Sequence, residues 1–360
     1  MQAVITSPQS KITQLNIEGR IVGIGSPCFL VAEIGINHNG DIELAKKTIL
    51  AAKEAGADAV KFQSYQTEDF ITNRTLVYEY ENSGRKVQET QFDMFKRCEL
   101  TFSQLKELKL YCDQLRISFH STPTSREGIA DLVKLGAAVL KNGSDYLTHL
   151  PLIRDMGRTG LTTVLSTGMA TLEEIDQAVR AFRETGNTKL ILLACTSSYP
   201  TAPRDVNLLR IATLRQSFDC LTGFSDHTDG IVAAVGSVIL GSVWLEKHFT
   251  LDKNLPGPDH RFSCDADEFQ ALARSVREME KMVGSSSLQP TETEAHGRRN
   301  YRLSCQTTRD LPEGHVLTEA DIAFRRPGTG IPPAHINYIL GRKLARALSS
   351  SHTIKVEDLT

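Results

Sequence analysis

Two short segments, GFSDHT (223–228) and VWLEKHFT (243–250), each close an apolar run on a histidine, and PGPDHRFS (256–263) follows soon after. Imidazole, carboxylate and hydroxyl groups gathered at strand tips are the makings of a metal-assisted site. His227 and His248, one on each of two successive strands, can share a divalent ion through neutral imidazole nitrogens. Asp226, Glu246 and Asp259 lie close to them in sequence. Taken singly, each histidine reads equally well as a hydrogen-bonded core residue; as a pair at neighbouring tips they favour ligation. Imidazole with oxygen donors suits manganese, magnesium, cobalt or zinc.

Lys61 and Lys141 sit late in strongly apolar runs, where an unpaired ammonium is costly to bury. Either each pairs with a carboxylate, or both face a polyanionic substrate. The hydroxyls that accompany them, Thr122, Ser144, Ser166 and Ser225, favour the second reading, because cations with several small donors suit a phosphate and a carboxylate. No GxxxxGK[ST] loop is present, which argues against a nucleoside triphosphate. Glu33 reads as an orienting carboxylate or as a partner for Lys61. Tyr199 places an aromatic after LLACTSS, and STGMATLEE offers helix-start N–H groups to an anion. Cys195, flanked by apolar residues, reads as an inert buried thiol. Arg325 and Arg326 stand beside a Pro/Gly loop, FRRPGTGIPP (324–333), which reads either as a solvated charged loop or as one that could reach over a barrel mouth.

The elements that must position these groups follow from periodicity. Eight short apolar runs, at 29–35, 58–65, 117–123, 138–144, 162–168, 190–196, 221–228 and 242–249, alternate with amphipathic stretches. Two of the stretches open on capping boxes, Thr101 with Gln104 and Thr171 with Glu174. Eight strand-then-helix units over about 250 residues have the size of a TIM (β/α)8 barrel. A doubly wound open sheet is the competing arrangement. Nearly every run carries its polar side chains at its C-terminal end, and only a barrel brings such ends to one mouth.

Upstream, 13–25 alternates around a Gly-containing turn and reads as a hairpin that plugs the barrel bottom, and 1–12 reads as a frayed tail. The expected division is 1–284 for hairpin and catalytic barrel, a polar linker at 285–298, and a small β-rich domain at 299–360. In that domain LPEGHVLTEADI (311–322) is echoed by LSSSHTIKVEDL (348–359).

The chain has 360 residues, 40% hydrophobic content and a net charge of −2, so neither a nucleic-acid footprint nor a membrane-attracting surface is indicated. Seven scattered cysteines with no CxxC pair, and no stretch that reads as a secretory leader, point to a reducing cytoplasm. No apolar stretch approaches the roughly 20 residues of a membrane span.

Together the motifs AEIGINHNGD (32–41), AGADAVKFQSY (55–65), STPTS (121–125), LKNGSDYL (140–147), LSTGM (165–169), LLACTSSYPT (192–201), GFSDHT, LEKHFT, PGPDH and RRPGTG closely resemble the sialic acid synthase family, in family order over most of the chain. The resemblance implies a TIM barrel joined to an antifreeze-like (SAF) domain, in a homodimer whose swapped small domains each cover the partner's barrel mouth. It implies condensation of phosphoenolpyruvate with an N-acylated hexosamine, typically N-acetylmannosamine, to a nine-carbon 2-keto acid and phosphate. Legionaminate or pseudaminate synthesis is the nearest alternative. A metal-dependent aldolase or hydrolase on the same barrel and a catalytically silent carbohydrate-binding protein are alternatives of other classes.

By match to the family motifs, Lys61, Thr122, Lys141, Ser144, Ser166 and Ser225 would hold phosphoenolpyruvate. Glu33, Gln63, Tyr199, Glu246 and Asp259 would hold the sugar, with Glu33, Lys61, Lys141 and Glu246 as the catalytic set. Arg326 would reach the N-acyl group from the neighbouring protomer. His227 and His248 would hold the metal, manganese first and magnesium or cobalt after it. One departure stands out: family members often read GSGE where this chain reads GSDY, so Tyr146 replaces a glutamate, with Asp145 beside it.

Overall fold

A computed structural model describes residues 13–82 and 85–360. The chain divides into two compact units, Met1–Gly284 and Ser285–Thr360. The tail expected at 1–12 lies outside the described residues.

The first unit opens with an antiparallel hairpin, β1 (Gln14–Ile17) and β2 (Arg20–Gly23). Strands β3 (Phe29–Gly35) and β4 (Ala59–Ser64) follow, then a second hairpin, β5 (Val77–Asn82) and β6 (Arg85–Thr90), which the sequence reading did not anticipate. The remaining strands of this unit are β7 (Ser118–Pro123), β8 (Val139–Asn142), β9 (Thr162–Ser166), β10 (Leu190–Cys195), β11 (Leu221–Asp226) and β12 (Trp244–His248). Strands β3, β4 and β7 to β12 close into a parallel eight-stranded barrel, with β12 pairing β3 from Trp244↔Phe29 to His248↔Glu33. The open-sheet alternative is thereby excluded, and each barrel strand starts and ends within two residues of its expected run.

Parallel strands are covered on both faces, which is why these runs are almost continuously apolar. One face packs against the helices through Leu30, Ala32, Val60, Phe62, Leu192 and Leu245. The other fills the lower lumen with Phe29, Val31, Ala59, Val139, Val164 and Trp244. Leu15, Ile17 and Val22 of the first hairpin join that lumen cluster and stopper it from below. Gly223 is needed there: a β-carbon at this position would press on Trp244 and Leu193. Helix starts are fixed by side chains, Asp41 accepting from the Glu43 and Leu44 N–H groups and Thr101 and Thr171 forming the expected capping boxes. Among the described residues no helix is long and apolar enough to cross a membrane.

The second unit has a core of Cys305, Leu311, Leu317, Ile331, Ile339, Leu344, Leu348 and Ile354. Its strands β13 (Ser304–Thr307) and β14 (Ile322–Arg325) are antiparallel, and the rest of its pairing is made of isolated bridges such as Leu311↔Leu348. The stretch expected as a linker carries a 3-10 turn, Glu292–Glu294, and a short helix, Ala295–Asn300. The internal echo is structural. Asp321 accepts from Arg309 Nη2 at 2.7 Å, lies 2.9 Å from His315 Nε2 and accepts from Thr318 N at 3.1 Å. Asp358 repeats the arrangement with Arg346 Nη2 at 2.7 Å, His352 Nε2 at 3.0 Å and Lys355 N at 2.9 Å.

Candidate active site

Above the apolar lumen the same inward-facing strand positions turn polar. Two residues beyond Val31, Ala59, Val139 and Val164 on that face stand Glu33, Lys61, Lys141 and Ser166. These open into a cavity of about 440 Å³ at the C-terminal end of the barrel. Thirteen of the fourteen residues singled out from sequence line this cavity: Glu33, Lys61, Gln63, Thr122, Lys141, Ser144, Ser166, Tyr199, Ser225, His227, Glu246, His248 and Asp259. The fourteenth, Arg326, belongs to the second unit, where it is exposed and its guanidinium lies 5.2 Å from the Tyr301 ring.

The lysines pair with carboxylates and also line the cavity. Lys61 Nζ is 2.9 Å from Glu33 Oε2, 3.6 Å from Glu246 Oε1 and 3.2 Å from Thr122 Oγ1, yet it faces the cavity. Lys141 Nζ donates to Ser166 Oγ at 2.6 Å and lies 3.6 Å from the same Glu246 oxygen. Burial works against the Lys61 charge, but Glu246 and Glu33 outweigh it and hold its proton more tightly than usual. Lys141 has weaker compensation, so burial lowers its pKa, with Lys61's charge adding to the effect. Burial also raises Glu33 against the pull of Lys61. Glu246 is pulled the other way by Lys141 and Lys61, which overcome burial. Gly35, with φ +52°, turns the chain directly over this group; a β-carbon there would sit 3.1 Å from Glu33 Oε1.

The histidines come together, with ring centroids 5.5 Å apart, and Tyr199 packs on both at 4.2 and 5.8 Å. His227 Nδ1 lies 2.8 Å from the Thr196 carbonyl, which fixes a proton there, and Nε2 lies 3.5 Å from Ser225 Oγ. His248 Nδ1 is buried without a hydrogen-bond partner, with Asp259 Oδ2 3.7 Å away. Burial, with the nearby charges of His227 and Lys61, holds His248 neutral. Burial, reinforced by Glu33, raises the Asp259 carboxyl to about 7. Among the described residues no group of three or more His, Cys, Asp or Glu side chains is gathered for a metal. The donor set fits an ion held by two imidazoles, with its other positions left to small ligands.

A buried ion pair not noticed in the sequence ties the two histidine strands together. Lys247 Nζ donates to Asp226 Oδ2 at 2.8 Å and to the Thr228 carbonyl at 2.7 Å, bracketing His227 and adjoining His248. Cys195, expected to be inert, is buried but lines the cavity, with Sγ 3.9 Å from His227 Nδ1. Burial would raise its thiol, yet the His227 contact wins and lowers it. Strand parity was the available signal, because Cys195 shares the inward face with Leu193. Ser197 also lines the cavity, its hydroxyl buried without a partner. Tyr146 and Asp145 both reach the cavity, and the Tyr146 ring stacks on His149 at 6.0 Å. At the helix start after STGM, Thr171 and Glu174 take up each other's backbone N–H groups.

An eight-stranded parallel barrel whose mouth joins two lysines, a cluster of hydroxyls, four carboxylates and a histidine pair defines a barrel enzyme for an anionic substrate. Residues 48–287 match the NeuB family and residues 305–359 match the SAF domain. The chain belongs to the NeuB family of synthases. It is 41% identical over 346 residues to the uncharacterised protein MJ1065 of Methanocaldococcus jannaschii, covering 96% of this chain and 98% of that one. To the N,N'-diacetyllegionaminic acid synthase of Legionella pneumophila it is 38% identical, over 94% of this chain and 96% of the relative. The crystal structure of the N-acetylneuraminic acid synthetase of Leptospira borgpetersenii, in complex with citrate, superposes with a TM-score of 0.72 at 30% identity, covering 79% of this chain and 94% of that one.

Proposed function

We propose that the barrel condenses phosphoenolpyruvate with an N-acylated hexosamine to give a nonulosonic acid and phosphate. The observation that carries this reading is the convergence of two buried ammonium groups and four hydroxyls on the cavity that also holds the histidine pair. Lys61, Lys141, Thr122, Ser144, Ser166 and Ser225 would hold the phosphate and carboxylate. Glu33, Gln63, Glu246, Asp259 and Tyr199 would orient the open-chain sugar so that its aldehyde carbon meets the methylene carbon of phosphoenolpyruvate.

The new C–C bond leaves a cation at the enol carbon. Water adds there and gives up a proton, and the C–O bond to phosphate then breaks to yield the keto acid. Glu246, lying between the two lysines, is suited to stabilise that cation. A divalent ion held by His227 and His248, manganese in the first instance, would supply Lewis acidity at the aldehyde.

The companion reading is a homodimer in which the SAF unit of a second copy covers the mouth and brings Arg326 to the N-acyl group. An apolar rim supports it, since Met169, Leu172, Leu209 and Val232 are exposed beyond the tips of β9, β10 and β11. All seven cysteines are free, in keeping with a cytoplasmic location.

The test is phosphate release from phosphoenolpyruvate by purified protein with manganese. Release should require an N-acylated hexosamine and be lost on chelation and in His227→Ala. No release with any such sugar would sink the reading.

A further inference from the structure

The turn that follows β3 carries a buried amide that the chemistry above leaves unused. After Gly35 reverses the chain over Glu33, the Asn37 N–H donates to the Ile34 carbonyl at 2.8 Å and closes the turn. Asn37 is buried there, with its side chain directed at the segment that leaves β12. Its amide nitrogen has two hydrogens and spends both. One goes to the Phe249 carbonyl and the other to Ser263 Oγ, each at 2.9 Å. A carbonyl can only accept, so the first bond fixes which end of the amide is the nitrogen.

The two partners lead to two different cavity groups. Phe249 follows His248, and its own N–H donates to the Glu33 carbonyl at 2.8 Å, so the residue beside the imidazole is gripped at both its N–H and its carbonyl. Ser263, also buried, passes its hydroxyl hydrogen to the Asp259 carbonyl at 2.6 Å. The loop that carries Asp259 is tied separately at its ends, where Asn39 Nδ2 donates to the Pro256 carbonyl at 2.7 Å and the Cys264 N–H to the His248 carbonyl at 2.8 Å. The Ser263 hydroxyl instead reaches the middle of the loop, at the residue that lines the cavity.

His248 Nδ1 and Asp259 Oδ2 lie 3.7 Å apart, too far for a hydrogen bond between them. Their spacing is therefore set by the backbone that carries them.

We propose that Asn37 is a positioning residue for this pair: its one amide group holds the residue after His248 directly and Asp259 through Ser263, and so sets the imidazole for the metal and the carboxyl for the acceptor sugar. Neither Asn37 nor Ser263 lines the cavity. The inference rests on the condensation proposed above and adds to it two residues that act from behind the site.

The experiment begins with manganese binding to the full chain without substrates, read from the electron paramagnetic resonance signal of the free ion. Asn37→Leu keeps the side chain's shape and removes both donors. It should weaken manganese binding on the order of tenfold to a hundredfold, the usual loss when a group that orients a metal ligand is removed. Ser263→Ala cuts the Asp259 arm alone. With phosphoenolpyruvate and whichever of N-acetylmannosamine and its diacetamido-trideoxy analogue turns over faster, it should raise the KM for the sugar on the order of tenfold, the worth of one hydrogen bond. The KM for phosphoenolpyruvate and the manganese affinity should stay level in that variant. Unaltered manganese affinity in a folded Asn37→Leu protein overturns the inference, as does a failure of the unaltered protein to bind manganese. An equal rise in both KM values in Ser263→Ala also overturns it, because a merely structural role would move them together. Should Asn37→Leu not fold, the split between the two KM values in Ser263→Ala decides. If the unaltered protein binds manganese but releases no phosphate with either sugar, the condensation reading fails, and the manganese affinity of Asn37→Leu still decides the role of Asn37.

Discussion

The barrel mouth and the SAF unit both bury carboxylates, but they treat them in opposite ways. Asp321 and Asp358 are 1% and 0% exposed, and each has an arginine fork on one oxygen and a histidine with a backbone N–H on the other. Burial would raise both, yet these hydrogen bonds lower both, holding Asp321 well below the usual carboxylate range. Glu246, 5% exposed, has one oxygen shared at 3.6 Å between two lysines and the other buried without a hydrogen-bond partner. A satisfied buried carboxylate is a fastener. An undersatisfied one, held among mismatched charges, is a group the fold has left available for a substrate.

Substitutions should separate the two kinds. Glu246→Gln, a neutral near-isostere, should cost roughly 10²–10³-fold in kcat, as losing an electrostatic stabiliser does. Its thermal midpoint should stay level or rise, because the desolvation of one charge is relieved. A drop in both would erase the contrast. Asp358→Asn should cost about 1–3 kcal/mol, since it weakens bonds that are fully made; hydrogen exchange over residues 304–359 would locate the loss in the SAF unit.

The smallest effect is one of sign with pH, in chelated protein without substrates. The ordinary value for both Asp321 and Asp259 is 3.8. Asp321 is lowered in the fold, so its contribution is full above that value and fades only as pH falls below it. Asp259 is raised to about 7, so its contribution is full below 3.8 and is lost as pH rises to about 7. Region-resolved exchange between those two pH values should show the barrel mouth loosening while the SAF unit does not change. Parallel trends in the two regions would contradict the assignment.

Much of this was readable in the sequence because barrel strands are apolar on both faces and announce themselves as runs, each closing on its polar tip. Eleven of the thirteen cavity residues followed from that one regularity; Tyr199 and Asp259, in loops beyond β10 and β12, came from the motifs that follow those strands. What escaped was carried by other signals. Cys195 hides among apolar neighbours unless the inward face is counted from Leu193. Lys247 and Asp226 are adjacent only through the pairing of β11 with β12, a register no periodicity reveals. The apolar side chains Tyr65, Phe70, Tyr78, Met94 and Phe95 come from the β4 to β7 excursion, where a four-residue helix, a hairpin and the eight-residue helix Gln91–Cys98 are each too short to show a lasting period.

The stopper of Leu15, Ile17 and Val22 makes the barrel a vessel with one opening. Lys61 and Lys141 lie at its depth, 4% and 2% exposed, while Tyr199 stands at the rim, 47% exposed. Whatever binds the lysines has to descend past the place where its co-reactant will rest. Such a vessel fills from the bottom and empties from the top, so on the roles proposed above the small anion would enter first and the sugar would cork it.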